Sequence, residues 1–265
     1  MYKGFNLTTT GDMFEEHSKH IDKFYDNLKI KVEENLNSYI CENGNLDGDK
    51  IINDWFPEVK THVFISHSHN DEKLAKNFAG WLKDNFNIDS FIDSCVWGYA
   101  NDLLKQIDDK YSQFDGNSAT YSYEKRNYST SHVHMMLSTA LMSMMDKCEC
   151  IIFLNTTEST VESKGEYTTD KNKVSSPWIY DELIMTNFIR KKIPKRLKTE
   201  KKSLNETYKQ YANDTEISQL IIEYTGVFDA LTDIDDHKLI LWQISNILNN
   251  KNVEVCLDEL YSIAK

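Results

Sequence analysis

The sequence predicts an α/β fold in which a parallel sheet is flanked by helices, and three observations carry that expectation. His62-Val63-Phe64-Ile65-Ser66 and Ile88-Asp89-Ser90-Phe91-Ile92-Asp93 are short runs rich in β-formers. Helical patterns over residues 71–86 and 99–111 alternate with them. Cys150-Ile151-Ile152-Phe153-Leu154-Asn155 is almost continuously apolar, as in a strand covered on both faces. Strand and helix alternating at this spacing imply right-handed βαβ units and a parallel sheet.

Along the chain, residues 12–41 place Phe14, Ile21, Phe24, Tyr25, Leu28, Val32, Leu36, Tyr39 and Ile40 at spacings of three and four, which predicts an amphipathic helix or helix pair. Asn43-Gly44-Asn45 and Asp47-Gly48-Asp49 mark a loop that lacks the ligand spacing of an EF-hand. A short segment, 51–56, closes at Pro57. Residues 1–60 are therefore expected to form an N-terminal helical extension to an α/β domain spanning 61–265. Within that domain, helix 71–86 buries Leu74, Ala75, Phe78, Ala79, Trp81 and Leu82, and helix 99–111 carries Leu103, Leu104 and Ile107. Residues 112–131, rich in Ser, Asn, Tyr and Gly, read as a surface insertion. A strongly apolar helix over 133–146 follows, its methionines expected in the core. A polar loop, 156–175, leads to a helix over 178–191. After Pro194 a charged stretch precedes apolar pieces at 220–224 and 239–248, with no clear strand and no internal repeat.

The 265 residues, 40% hydrophobic and 12% aromatic, suffice for a sizeable core, and three prolines with nine glycines argue against a linker-rich chain. A net charge of −12 counts against a nucleic-acid partner, which needs a basic surface to displace counterions. Basic clusters at Arg190-Lys191-Lys192 and from Lys195 to Lys202 read as solvated helix ends. Five cysteines, with no C-x-x-C, predict neither a disulfide framework nor a zinc site, and fit a reducing compartment. Met1-Tyr2-Lys3-Gly4-Phe5-Asn6 has no leader-like apolar run, and residues 133–145 are too short and interrupted to span a bilayer. A cytoplasmic protein with no membrane partner is expected.

In an open parallel sheet, ligands bind beyond the carboxyl ends of the strands. Three polar loops fall there: Ser66-His67-Ser68-His69-Asn70-Asp71, Asp93-Ser94-Cys95-Val96-Trp97-Gly98, and the stretch from Asn155 to Trp178-Ile179-Tyr180-Asp181-Glu182. Each residue has a plainer reading. Glu182 near a helix start can complement the helix dipole or pair with Ser175 or Ser176. Ser68 or Asn70 can cap the helix that Asp71 opens, while the amides there also suit a diphosphate. His67 and His69 read as solvent-facing, His132 and His134 as structural. Asp93 at a strand end can accept from a ligand hydroxyl or pair with a cation. Cys95 has no evident base partner, and Trp97 reads as exposed, suited to stacking on a ligand or to a neighbouring subunit.

The same residues carry a resemblance. Val63-Phe64-Ile65-Ser66-His67-Ser68 with Asp71 resembles the first strand and loop of TIR domains. Phe91-Ile92-Asp93 with Trp97-Gly98 resembles their second strand and BB loop, and Ser176-Pro177-Trp178-Ile179-Tyr180-Asp181-Glu182-Leu183 their W-x-x-x-E segment. The match covers residues 61–192 and implies a flavodoxin-like sheet. It further implies cleavage of the nicotinamide–ribose bond of NAD+, a substrate rather than a cofactor, with Glu182 catalytic. Ser66, Ser68, Asp71, Asp93, Trp97 and Trp178 are then the substrate-binding candidates, with no metal. Self-association through the BB-loop region, a nucleotide signal in anti-phage defence and an effector reading that signal belong to the same implication. Departure of nicotinamide leaves an oxocarbenium-like ribose, which one carboxylate in a dry pocket can stabilise. Two alternatives stand beside it: a non-catalytic TIR-like interaction module, and a nucleoside deoxyribosyltransferase-like enzyme with a nucleophilic glutamate.

Overall fold

In the computed structural model, the described residues are 1–15, 17, 21–28, 36–97, 100–114, 117–160, 173–174, 176–198, 224–247 and 252–265. Five strands form one parallel sheet: β1 (Lys3–Thr8), β2 (Val63–Ser66), β3 (Ser90–Phe91), and two further strands beyond the antiparallel pair β4 (Gln113–Phe114) and β5 (Asn117–Tyr121), namely β6 (Cys150–Leu154) and, after the short pair β7 (Lys173–Val174) and β8 (Tyr224–Thr225), β9 (Leu231–Asp235). Their spatial order is β3-β2-β6-β1-β9. β6 lies at the centre, all five of its residues buried, as its unbroken apolar run requires.

The expectation of a helical extension over residues 1–60 is corrected by β1. Lys3–Thr8 pairs with β6 on one side (Phe5 opposite Ile152) and with β9 on the other (Phe5 opposite Thr232). Phe5 and Leu7 are fully buried, while Asn6 between them is less so and bonds Asp233. The intervening Lys3, Asn6 and Thr8 made the run look polar. Only the neighbouring strands satisfy its backbone groups and give it a strand's conformation. Of the predicted helical stretch 12–41, the described part holds a 3-10 turn at Asp12–Phe14, helix α1 (Ile21–Leu28) and a second 3-10 turn at Leu36–Tyr39. Val32 lies outside the described residues. Helix α2 (Gly48–Trp55) starts at Asp47, whose side chain accepts from the Lys50 amide.

Helix α3 (Glu72–Phe86) ends where Asn87 enters the left-handed region and donates to the carbonyls of Leu82 and Lys83. β3 is shorter than the predicted 88–93, because Asp93 already opens helix α4 (Asp93–Val96). Helix α5 (Ala100–Tyr111) follows; Gly98 and Tyr99 lie outside the described residues. The described part of 112–131 is not a loop: β4 and β5 pair antiparallel, and Ser122 then caps helix α6 (Tyr123–Lys147), a helix of 25 residues. Its hydroxyl-rich first turns have little apolar periodicity, which hid them. Met144 and Met145 are core residues, but Met135 and Met142 are exposed.

Helix α7 (Pro177–Phe188) begins at Ser176, whose hydroxyl accepts from the Ile179 amide, with Pro177 in the first turn. β9 supplies the strand that the sequence did not announce after Pro194, because its pattern, Leu231-Thr232-Asp233-Ile234-Asp235, suits a sheet edge. Helices α8 (Asp236–Ser245) and α9 (Val253–Ile263) complete the chain; residues 220–223 and 248 lie outside the described residues. On one side α3 packs against α1 and, through Trp81 and Phe86 on Trp242, against α8. On the other, α6 packs against α2, α5 and α7. β3-β2-β6 reproduces the 2-1-3 order of doubly wound sheets, and the N-terminal strand occupies the fourth place. The arrangement is compatible with a flavodoxin-like fold. Among the described residues no helix is long and apolar enough to cross a membrane.

Candidate functional site

From β2 the chain crosses to β3 on one side and then returns to β6 on the other, so the carboxyl ends of β2 and β6 flank a topological switch point. Ser66 is the last residue of β2. Its hydroxyl donates a hydrogen bond to Oε2 of Glu182, reaching in from the second turn of α7. Both residues are buried.

Above them opens a cleft of about 390 Å³. Glu182, Asp93, Trp97 and Trp178 all line it, so four of the predicted candidates converge. Trp178 and Glu182, four apart on α7, present themselves to it together, as helical geometry demands. From α6 come His134, Leu137 and Leu141, one stripe at intervals of three and four, and the His134 ring meets Trp178 edge-on at 5.2 Å between centroids. His67 and His69 line the cleft from the loop after β2.

Burial pushes the Glu182 carboxyl well above its ordinary value; Asp93 and Asp181 push the same way, and the Ser66 hydroxyl opposes them. Asp181 itself accepts a hydrogen bond from Ser138 at 2.7 Å. His67 is not solvent-facing: its side chain is 4% exposed, with Nδ1 3.9 Å from Asp93 and Nε2 3.4 Å from the Ser94 hydroxyl. The expectation fails because the residue after β2 turns under the cleft rather than out of it. His134, read as structural, is likewise a cleft residue, and the apolar stripe it shares with Leu137 and Leu141 was the available signal.

Trp97 corrects a second expectation. It is buried, its indole N–H donates to the Pro57 carbonyl at 2.9 Å, and it packs against Phe56 and Phe91. A ring anchored on three sides shows the cleft only part of its surface and is no free stacking platform. Ser66, Ser68 and Asp71 are not among the residues lining the cleft, and Ser66 is linked to it through Glu182. The Ser68 carbonyl accepts from the Asp71 amide at 2.8 Å in a 3-10 turn, but its hydroxyl makes no cap. The Asp71 carboxylate instead accepts from Thr156 at 2.6 Å, tying the β2 loop to the β6 loop. Cys95 is buried and its thiol is pushed up to about 11, which removes the thiolate a nucleophile needs. Gly98 and Ser175 lie outside the described residues.

Chemically, the site offers one buried carboxyl, a second on the wall, three imidazoles and two indoles around a small-molecule-sized space. Among the described residues no group of three or more His, Cys, Asp and Glu is arranged to hold a metal ion. Comparison with protein-family models, curated proteins and solved structures finds no match to this chain.

Proposed function

We propose that the cleft hydrolyses or transfers an N-ribosyl bond, with NAD+ as substrate and Glu182 as the carboxylate that stabilises the reacting ribose. The observation that carries this reading is the placement of Glu182: buried, bonded to Ser66, and facing a cleft at the switch point of the sheet. The carbon–nitrogen bond breaks with its electron pair going to the pyridinium nitrogen, so nicotinamide departs neutral and needs no general acid. The ribosyl carbon gains positive charge as this happens, and the carboxylate, itself buried, acts on that charge. Water or a hydroxyl then attacks the same carbon and gives up its proton, yielding free, cyclised or transferred ADP-ribose. The upward push on the Glu182 carboxyl is consistent with this, because a cation beside the group would favour its ionised form.

Self-association through the 93–98 segment belongs to this reading, carried by groups other than the core-bound Trp97 indole. The test is nicotinamide release from NAD+ by the purified chain, followed chromatographically. Glu182→Gln is expected to lower it by roughly 100-fold or more, the usual scale for a lost electrostatic stabiliser. Release at the parent rate in a folded Glu182→Gln protein sinks the assignment.

A further inference from the structure

Arg126, near the start of α6, is held from two sides. Its Nε donates to Oδ2 of Asp108 on α5 at 3.0 Å, and its guanidinium lies over the Tyr121 ring, 5.5 Å from the centroid. Asp108 is 3% exposed, and its other oxygen accepts from the hydroxyls of Ser112, at 2.8 Å, and Ser129. A buried carboxylate bonded on both oxygens cannot turn, and it fixes the plane of the guanidinium it meets. Neither Nη of Arg126 has a hydrogen-bond partner among the described residues. Compensating the charge of Asp108 accounts for Nε alone, so the two Nη groups remain as a fork of fixed direction.

Two hollows share Tyr121 and Arg126 as a common wall. One, of about 330 Å³, adds Lys105 from α5; the other, of about 530 Å³, adds Asn127 and Thr130 from α6. Lys105 is exposed and has no ion-pair partner among the described residues. The Asp109 carboxylate is engaged by the Tyr121 hydroxyl.

We propose that Arg126 and Lys105 form a binding site for the phosphate group of a small phosphorylated molecule. The fork takes two phosphate oxygens, Lys105 meets the charge from the α5 side, and Asn127 and Thr130 offer neutral donors on the other. A carboxylate would be satisfied by the fork alone, whereas a phosphate has a third oxygen and a further charge for the lysine. Asn101 is the one described residue common to this site and the cleft at the sheet, and the site stands whether or not the glycohydrolase reading does.

The experiment is an NMR titration of the full chain with inorganic phosphate, and with acetate at matched ionic strength, followed on the guanidinium signals. The chain has three arginines, at 126, 190 and 196. Phosphate is expected to move the Arg126 signals alone, and to bind roughly tenfold tighter than acetate. Lys105→Gln, an exposed substitution with no bond to lose, should weaken phosphate by roughly threefold. Arg126→Lys keeps the charge but loses the fork, and should weaken it by about tenfold. That change also removes the brace on Asp108, so if it unfolds the chain the parent signals and Lys105→Gln decide. Equal movement of all three arginines is general screening and overturns the site. Acetate binding as tightly as phosphate overturns the phosphate assignment, and phosphate affinity unchanged in Lys105→Gln or in a folded Arg126→Lys overturns the residues named.

Discussion

Ser66 and Glu182, 116 positions apart in the chain, are joined by a hydrogen bond from the serine hydroxyl to the glutamate carboxyl, and both are buried. The contact ties the end of β2 to α7 and favours the ionised carboxyl against three opposing influences. Burial is the largest of those, followed by Asp93 and Asp181. The balance holds the Glu182 carboxyl above its ordinary range.

Glu182 is held above the ordinary glutamate value of 4.5. A carboxyl raised in the folded state contributes its full stability below the unfolded value and loses it as pH climbs through the folded one. Glu182→Gln keeps the shape of the protonated acid and has nothing to ionise. Its melting temperature should match the parent near about pH 4 and exceed it increasingly toward about pH 8, by roughly 2–4 °C for each kcal/mol recovered. Calorimetric melts across that range decide the matter, and parallel curves for the two proteins count against a raised carboxyl.

Ser66→Ala removes the group that favours the ionised glutamate. The acid limb of the pH profile for nicotinamide release should therefore move to higher pH, with activity lost first at neutral pH and partly regained in alkali. A uniform fall in rate with an unmoved limb would show that Ser66 acts on geometry alone.

Trp97→Phe should lower stability by about 1–3 kcal/mol, from the void left by the smaller ring and from the Pro57 carbonyl losing its donor. Urea denaturation measures it. An unchanged midpoint would mean that the indole is not part of the core.

Gly80→Ala sets two effects against each other. Alanine favours a helix interior over glycine by about 1 kcal/mol. A Cβ at this position of α3, however, would lie 2.0 Å from the carbonyl oxygen of His17, a backbone atom that cannot swing aside. The clash should win, with a net loss of about 1–3 kcal/mol in urea denaturation. A stabilised variant would show that the segment around residue 17 is free to retreat.

Much of the architecture was legible in the chain itself. The apolar runs that became β2 and β6 announced themselves because a strand buried on both faces has to be apolar at every position. Trp178 and Glu182 could be assigned to one side of α7 because four residues make one helical turn. The stripe His134, Leu137, Leu141 was equally regular, but a histidine in an apolar helix does not declare whether its face meets core or cleft. β1 and β9 left weak patterns because an alternating strand can be recognised only against the partners it pairs with.

The sequence by itself determined an α/β chain with a parallel sheet, the strands β2 and β6 with the helices that follow them, and a glutamate one turn from a tryptophan near a helix start. Those are consequences of local periodicity and of turn and cap chemistry, which act over a few residues. Only the tertiary structure decided that Lys3–Thr8 is an inner strand, that Trp97 is anchored in the core, and that His67, Asp93, His134 and Glu182 line one space, with Ser66 bonded to Glu182. These are contacts between residues tens of positions apart, and burial, charge and hydrogen bonding act on a side chain through whatever surrounds it in space, which no local pattern records.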